Sequence, residues 1–231
     1  MKRNPLNRRE LLLTARSAGT GLLLASFASG APEEEEEVAP GEDLMREHGV
    51  LNRLLLIYEE GLRRLDARQD FAPGTLSAAA GIVRRFIEEY HEKSEEENLF
   101  PRFEKAGKLV DLVAVLRRQH QAGRRLTGEI ERLAGGGAVA KDSDRRKLSD
   151  SMRLFIRMYR PHEAREDTVL FPAFRPLVSR KEYQDLGESF EEKEHRLFGK
   201  EGFEKVVAEV AGLEKQLGIY ELSRFTPESR G

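Results

Sequence analysis

Two pentapeptides of the same form carry the residue types that bind metals most readily. One runs from His91 to Glu95 and the other from His162 to Glu166, and both read His-Glu-x-x-Glu. Residues four apart lie on one face of a helix, so each segment can present an imidazole and a carboxylate to the same point. A single segment of this kind is usually a solvated pair. Two such segments on otherwise apolar stripes indicate a shared, buried site.

The two pentapeptides belong to an internal repeat of a helix pair. Each is followed by Leu-Phe-Pro-x-Phe, at residues 99–103 and 170–174, so that every match has an offset of 71. His48, in Arg-Glu-His, matches His120, in Arg-Gln-His, at an offset of 72. A lone histidine on an apolar stripe is more often a core residue than a ligand. Four of the five histidines on predicted core faces, arranged as a repeat, predict metal binding instead.

The charges of the two glutamates explain why a pair of metal ions fits this pattern. A buried carboxylate is costly unless it is paired or ligated, and two facing carboxylates repel each other. Two cations remove both costs, because Glu95 and Glu166 can each bridge the cations while each cation takes two histidines. The chain has no Cys, which excludes zinc fingers, thiolate-bound iron–sulfur clusters, disulfides and cysteine nucleophiles. The predicted ligands, a set that suits iron, manganese or zinc, are His48, His91, Glu95, His120, His162 and Glu166.

Apolar residues spaced by three and four predict that the segments carrying these ligands are helices. The predicted helices cover residues 42–67, 74–99, 109–133 and 141–170, and a fifth helical stretch covers residues 182–217. No segment shows the alternation of a strand. The predicted fold class is therefore all-α: an antiparallel four-helix bundle with an additional C-terminal helix. Pro161 falls inside the fourth helix, directly before His162, and we expect it to kink or break that helix.

The sequence before the bundle has the layout of an export signal. Residues 1–31 begin with basic residues and continue with a mildly apolar run and small residues, and Asn7-Arg8-Arg9 resembles a twin-arginine signal. The alternatives are an amphipathic helix or a membrane anchor, although Arg16 divides the apolar run. We expect an exported protein, periplasmic or otherwise extracytoplasmic, with no stable membrane span after signal cleavage. The remaining predicted parts are an acidic linker over residues 32–41, the bundle over 42–178 and a C-terminal extension over 179–231.

The order of the predicted ligands, with Leu-Phe-Pro after each His-Glu-x-x-Glu, resembles the hemerythrin-like cation-binding family. The resemblance covers about residues 43–177. It implies a non-heme centre of two iron ions, bridged by Glu95, by Glu166 and by a solvent-derived oxygen. The four histidines of the repeat would then be the terminal ligands.

The chain departs from the oxygen-carrying members of that family at one position. Those members have a fifth histidine, four residues from the one on the third helix, whereas this chain has Leu116 and Arg124 at the corresponding places. Such a site is more open than that of an oxygen carrier. Tyr159 and His195 are the candidates to fill the place or to support the ligands around it. The alternative for His195 is a solvated residue among neighbouring glutamates.

The resemblance also sets the expected function. We expect a di-iron protein that binds or reduces a small oxidant, namely O2, H2O2 or NO, so that its partner is a diatomic or peroxide ligand. The alternatives are an iron-dependent sensor or binding module and an iron store or donor for other proteins. The net charge is −2, with 39 basic and 41 acidic residues, so nothing indicates a nucleic-acid partner, which would need a basic face. The sequence does not identify a redox partner.

Overall fold

Six helices make up the part of the chain that the structure, a computed structural model, describes, namely residues 39–69, 74–135 and 141–227. The helices are α1 (Pro40–Asp66), α2 (residues 74–106), α3 (Val110–Gly135), α4 (residues 142–174), α5 (Arg180–Phe198) and α6 (Gly202–Leu217), with 3-10 turns at Arg175–Leu177 and Leu222–Phe225. Within these ranges there is no strand, which confirms the predicted all-α fold class. The predicted export signal lies outside the described residues.

The helices α1 to α4 form the predicted antiparallel bundle. Each contacts its two neighbours: α1 packs against α2 and α4, and α3 packs against the same two helices. Helix α1 shows why these segments are helical. Pro40 stands in its first turn with Glu42 and Asp43, while Arg63 and Arg64 stand in its last, so that the charges complement the helix dipole. Among the described residues, no helix has the length and apolar composition needed to cross a membrane.

Helices α2 and α4 change their winding next to the predicted ligands. In α2, the segments Val83–His91 and Glu95–Leu99 are π-helical, and in α4 the segment Glu166–Leu170 is π-helical. A π turn inside an α-helix is rare and often marks a functional site. Two of these π segments begin at the predicted ligands Glu95 and Glu166. The internal repeat therefore extends from sequence to backbone conformation.

Three prolines of the described residues, Pro101, Pro161 and Pro172, lie in helices beyond the first turn, and none of them ends its helix. The sequence predicts that α2 and α4 end at Leu99 and Leu170, but both helices continue through the next Phe-Pro, to residues 106 and 174. A π turn directly precedes each Phe-Pro, and its wider spacing relieves the turn against which the proline ring would press. Pro161 lies inside the α-helical segment Asp142–Arg165. Of the two predicted effects of Pro161, the break is therefore wrong, while the kink stays a prediction.

The predicted fifth helical stretch consists of two helices, α5 and α6. Helix α5 begins with a capping box in which Ser179 and Glu182 satisfy each other's backbone N–H groups. It ends at Gly199, whose φ of +84° suits a residue without a side chain. Helix α6 then packs against α1, where Arg53 donates two hydrogen bonds to Glu214, of 2.9 and 2.5 Å.

Two apolar clusters hold the bundle together, and the predicted ligands lie between them. The larger cluster contains Tyr58, Phe86 and Phe155, and the smaller one contains Phe100 and Phe171 with their neighbours. On each of the four bundle helices, the predicted ligands come between the residues of one cluster and those of the other. The ligands therefore form a polar layer across the middle of the bundle.

Candidate metal centre

The structure brings all six predicted ligands together in this polar layer. Helices α1 and α3 supply one histidine each, while α2 and α4 supply a histidine and a glutamate each. The six side chains are at most 4% exposed. They form two sets whose potential ligand atoms lie within 4.8 Å of one another: the first ligand group is His48, His91 and Glu95, and the second ligand group is His120, His162 and Glu166.

Within each group, the ring nitrogens Nε2 point toward the carboxylates. In the first ligand group, His48 Nε2 lies 3.1 Å from His91 Nε2, which is itself 3.8 Å from Glu95 Oε1. In the second ligand group, His162 Nε2 lies 3.0 Å from Glu166 Oε2. A shared point between these atoms is what a metal ion with nitrogen and oxygen ligands requires.

Each carboxylate also reaches the other group. Glu95 Oε2 lies 3.4 Å from His120 Nε2, and Glu166 Oε2 lies 3.4 Å from His48 Nε2. Both glutamates therefore stand between the two pairs of histidines. This is the placement that two bridging carboxylates would need.

The carboxylate oxygens at the centre have no hydrogen-bond partner. This holds for both oxygens of Glu95 and both oxygens of Glu166, as far as the described residues extend. Buried polar atoms in folded proteins almost always have a partner, and buried carboxylates without one are costly. The residues present therefore fit a pair of cations. These oxygens would ligate the cations, and the cations would neutralise the charge of the carboxylates.

When no cation is bound, a proton neutralises part of the negative charge of Glu95 and Glu166. Burial and the charge of Glu166 hold the pKa of Glu95 well above its usual range. Burial acts in the same direction on Glu166, but the neighbouring His162 and His48 outweigh it and lower the pKa of Glu166. Two facing carboxylates cannot both stay ionised at low cost, so Glu95 holds the proton. A metal pair would displace that proton.

The histidines also differ in charge in this state. Burial opposes the charged form of His48, but the hydrogen bond from its ring to Asp167 and the negative charge of Glu166 raise its pKa to about 10. Burial and the neighbouring His48 lower the pKa of His91 well below its usual value. Burial lowers the pKa of His120 to about 4. Because a metal ligand must be a neutral imidazole, binding at His48 also releases a proton.

A second layer of side chains fixes the orientation of all four rings. Each ring uses Nδ1 for a hydrogen bond to an oxygen, which leaves Nε2 for the centre. The pairs are His48 with Asp167 at 2.7 Å, His91 with Glu47 at 2.7 Å, His120 with Glu96 at 3.0 Å and His162 with Gln119 at 3.0 Å. Metal-ligating histidines commonly have such partners, which set the tautomer and the ring plane.

Sequence reasoning missed these four partners, although the repeat contains a signal for them. Asp167 and Glu96 each follow a predicted ligand glutamate, whereas Glu47 and Gln119 each precede a predicted ligand histidine. The partners therefore recur with the same offsets as the ligands. Comparing the neighbours of the matched ligands, in addition to the ligands themselves, would have identified them.

Tyr159 lies beside the ligands and hydrogen-bonds to a second buried carboxylate. Its hydroxyl donates to Glu92 Oε1 at 2.6 Å, and its ring centroid is 5.3 Å from that of His162. The space for this hydroxyl exists because residue 123 is glycine: a Cβ there would meet Tyr159 Oη at 1.9 Å. Arg124, one of the two positions compared with the missing histidine, lies 2.8 Å from Glu92 Oε2. Tyr159 thus contacts the ligand layer, and its hydroxyl is engaged by Glu92.

The other candidates from the sequence lie elsewhere. Leu116 is buried in the smaller apolar cluster. His195 is on α5, where its ring is 3.8 Å from Glu191 and 37% exposed. The structure does not bring His195 into either ligand group. Glu163, which the sequence places one residue round the helix from the site, is buried and accepts a hydrogen bond from Asn52.

A comparison with known protein families identifies one domain within this chain. The hemerythrin HHE cation binding domain matches residues 39–148. Residues 39–148 form a hemerythrin HHE cation-binding domain. The matched range contains His48, His91, Glu95 and His120, the predicted ligands on α1, α2 and α3. The other two predicted ligands, His162 and Glu166, lie on α4 beyond the matched range, so their assignment rests on the internal repeat and on the geometry above.

Similar proteins occur in mycobacteria. Uncharacterized proteins of Mycobacterium bovis and of two strains of Mycobacterium tuberculosis are each 48% identical to this chain over 242 residues. Each of these alignments covers 98% of this chain and 94% of the relative. No solved structure matches the chain.

Proposed function

We propose that this protein, which contains a hemerythrin HHE cation-binding domain, is a non-heme di-iron protein that binds or reduces a small oxidant: dioxygen, hydrogen peroxide or nitric oxide. The observation that carries the proposal is the pair of buried carboxylates without hydrogen-bond partners, each between two pairs of histidines. Among the metals that suit histidine and carboxylate ligands, we favour iron, because iron held by such ligands with open coordination positions reacts with small oxidants. When bound, the iron pair would supply electrons to the oxidant.

The residues around the centre support this proposal through what they hold in place. The four Nδ1 hydrogen bonds keep the Nε2 atoms aimed at the centre, so that little rearrangement is needed for a cation to bind. Burial of all six ligands excludes bulk water and large substrates. A small diatomic or peroxide ligand is therefore the substrate class that the site favours.

The first test is metal content. The chain, purified after expression with both iron and zinc available, should contain close to two irons by elemental analysis. One zinc and no iron would contradict the di-iron proposal. Anaerobic addition of O2, H2O2 and NO to the ferrous protein then separates the classes of function. Turnover indicates an enzyme, a lasting adduct indicates a carrier or sensor, and loss of iron indicates a store or donor.

We also propose that the protein is exported by the twin-arginine route. The support is the sequence pattern of residues 1–31, which lie outside the described residues. That route carries folded proteins, which suits a domain that must acquire its metal in the cytoplasm. On this proposal the protein works in the periplasm or elsewhere outside the cytoplasm.

A further inference from the structure

The internal repeat supplies matching residues to the two ligand groups. The side chains that hydrogen-bond to the histidines match as well, except that residues 47 and 119 differ in charge. Asp167 and Glu96 are equivalent by the repeat and are both carboxylates. Glu47 and Gln119 are also equivalent, but one is a carboxylate and the other is an amide. The ring of His91 therefore donates to a charged acceptor at 2.7 Å, whereas the ring of its counterpart His162 faces a neutral acceptor at 3.0 Å.

Glu96 and Asp167, the two carboxylates that the repeat matches, also differ in what surrounds them. Glu96 is 3.0 Å from His120 Nδ1, but it also accepts from Lys93 at 2.9 Å and lies 2.9 Å from Arg124. These two cations neutralise much of its charge. Asp167, at 2.7 Å from His48 Nδ1, has no ion pair with a lysine or arginine among the described residues. The partner of His48 thus keeps more of its negative charge than the partner of His120.

The wider surroundings of the first ligand group are negative as well. Glu47 belongs to a buried set with Asp43 and Glu194, whose oxygens lie within 4.8 Å of one another. Arg46 stands beside this set, 3.9 Å from Asp43. Near the second ligand group, the carboxylates of Glu92 and Glu96 are instead accompanied by two cations, Lys93 and Arg124. The hydrogen-bond acceptors and the surrounding carboxylates therefore favour a cation at the first group once the proton of His48 has been displaced.

We infer that the two metal positions are unequal: a cation fills the first ligand group, His48 with His91 and Glu95, before the second and leaves it last. The physical reason is that a carboxylate on Nδ1–H makes an imidazole a stronger ligand, while a neutral amide or a compensated carboxylate does so less. Glu47 and Gln119 are the positioning residues that set the order. This inference rests on the proposed binding of two metals.

The test uses Co²⁺ as the probe on the metal-free full chain, without oxidant. After one equivalent, anomalous scattering from crystals should show Co²⁺ at the first ligand group, and titration followed by visible spectra should show two separate steps. Equal occupancy, or filling of the second group first, would overturn the inference while leaving two-metal binding intact. No Co²⁺ and no iron bound at all would overturn the proposed function together with it.

Exchanging the two residues gives a sharper test. Glu47→Gln should weaken the first binding step by about tenfold or more, and Gln119→Glu should strengthen the second by a similar factor. The chain with both changes should fill the second ligand group first. Glu97→Gln, on the exposed side of α2, is the matched control and should leave both steps unchanged. An unchanged order in the exchanged chain, with its helix content intact by circular dichroism, would refute the role of these residues.

Discussion

Replacing Gly123 by alanine should destabilise the bundle, although the same change in most helices is favourable. An added Cβ would lie 1.9 Å from Tyr159 Oη and 2.8 Å from its Cζ. Tyr159 is fully buried, with its ring centroid 4.3 Å from that of Phe155, so it cannot move without disturbing the core. Its displacement would also break the hydrogen bond to Glu92.

One favourable and two unfavourable contributions determine how Gly123→Ala changes the free energy of unfolding. Alanine gains about 0.5 to 1 kcal/mol over glycine inside a helix. Overpacking costs about 1 to 3 kcal/mol, and leaving a buried hydrogen-bonding group without its partner costs about 1 to 3 kcal/mol. The costs exceed the gain. We expect the metal-free Gly123→Ala protein to lose about 2 to 4 kcal/mol, a fall in Tm of roughly 5 to 15 °C for a chain of this size.

The assay is thermal and urea unfolding of the metal-free protein, followed by circular dichroism. Gly212→Ala is the control, since a Cβ at that position of α6 meets no atom within 4 Å, and it should be neutral or stabilising. Adding Tyr159→Phe removes the atom at 1.9 Å, so the double variant should lose less stability than the two single variants together. A Gly123→Ala protein as stable as the control would refute the packing argument.

Three further predictions concern the site, its surroundings and export. Glu95→Ala should lose most of the bound metal by elemental analysis, whereas Glu97→Ala should keep it, because only the first carboxylate lies between the ligand groups. Burial raises the pKa of Glu88 above its ordinary value of 4.5, so the folded state holds this proton more tightly than the unfolded chain does. The stability of the parent relative to Glu88→Gln should therefore fall as pH rises above about 4.5, and unfolding curves at several pH values that stay parallel would contradict this. Changing Arg8 and Arg9 together to Lys should leave precursor in the cytoplasm by cell fractionation, and normal export would indicate another route.

The helices of the bundle could be predicted because each carries a long apolar stripe. Periodicity of three and four decides helix against strand, and the stripe of α1 from Leu44 to Leu62 is buried as expected. The ends of α2 and α4 could not be predicted in this way. Proline after Leu99 and Leu170 normally ends a helix, and only the backbone shows the π turns that let both helices continue.

The placement of the six candidate ligands could be predicted from the sequence, because the same pattern of ligand positions occurs on both helix pairs. Positions in register on two helix pairs must meet if the pairs pack symmetrically, and the structure places them in one layer. The sequence gives a weaker guide one residue away from a ligand. Glu92 and Glu163 are both buried, because helices packed on several sides bury more than one narrow stripe. Whether such a neighbour faces solvent or another helix depends on the rotation of each helix, which periodicity determines only coarsely.

The two apolar clusters explain how the bundle tolerates so many buried charges between them. Seven buried carboxylates occur on the described parts of the bundle helices: Asp43, Glu47, Glu88, Glu92, Glu95, Glu163 and Glu166. A buried ion pair often stabilises a protein less than apolar residues of the same volume, and an uncompensated buried charge is strongly destabilising. The two apolar clusters, one on each side of the polar layer, can hold the four helices at fixed spacing without help from this layer. The composition of the layer is then set by what it must bind, and cations are what its surplus of carboxylates most requires.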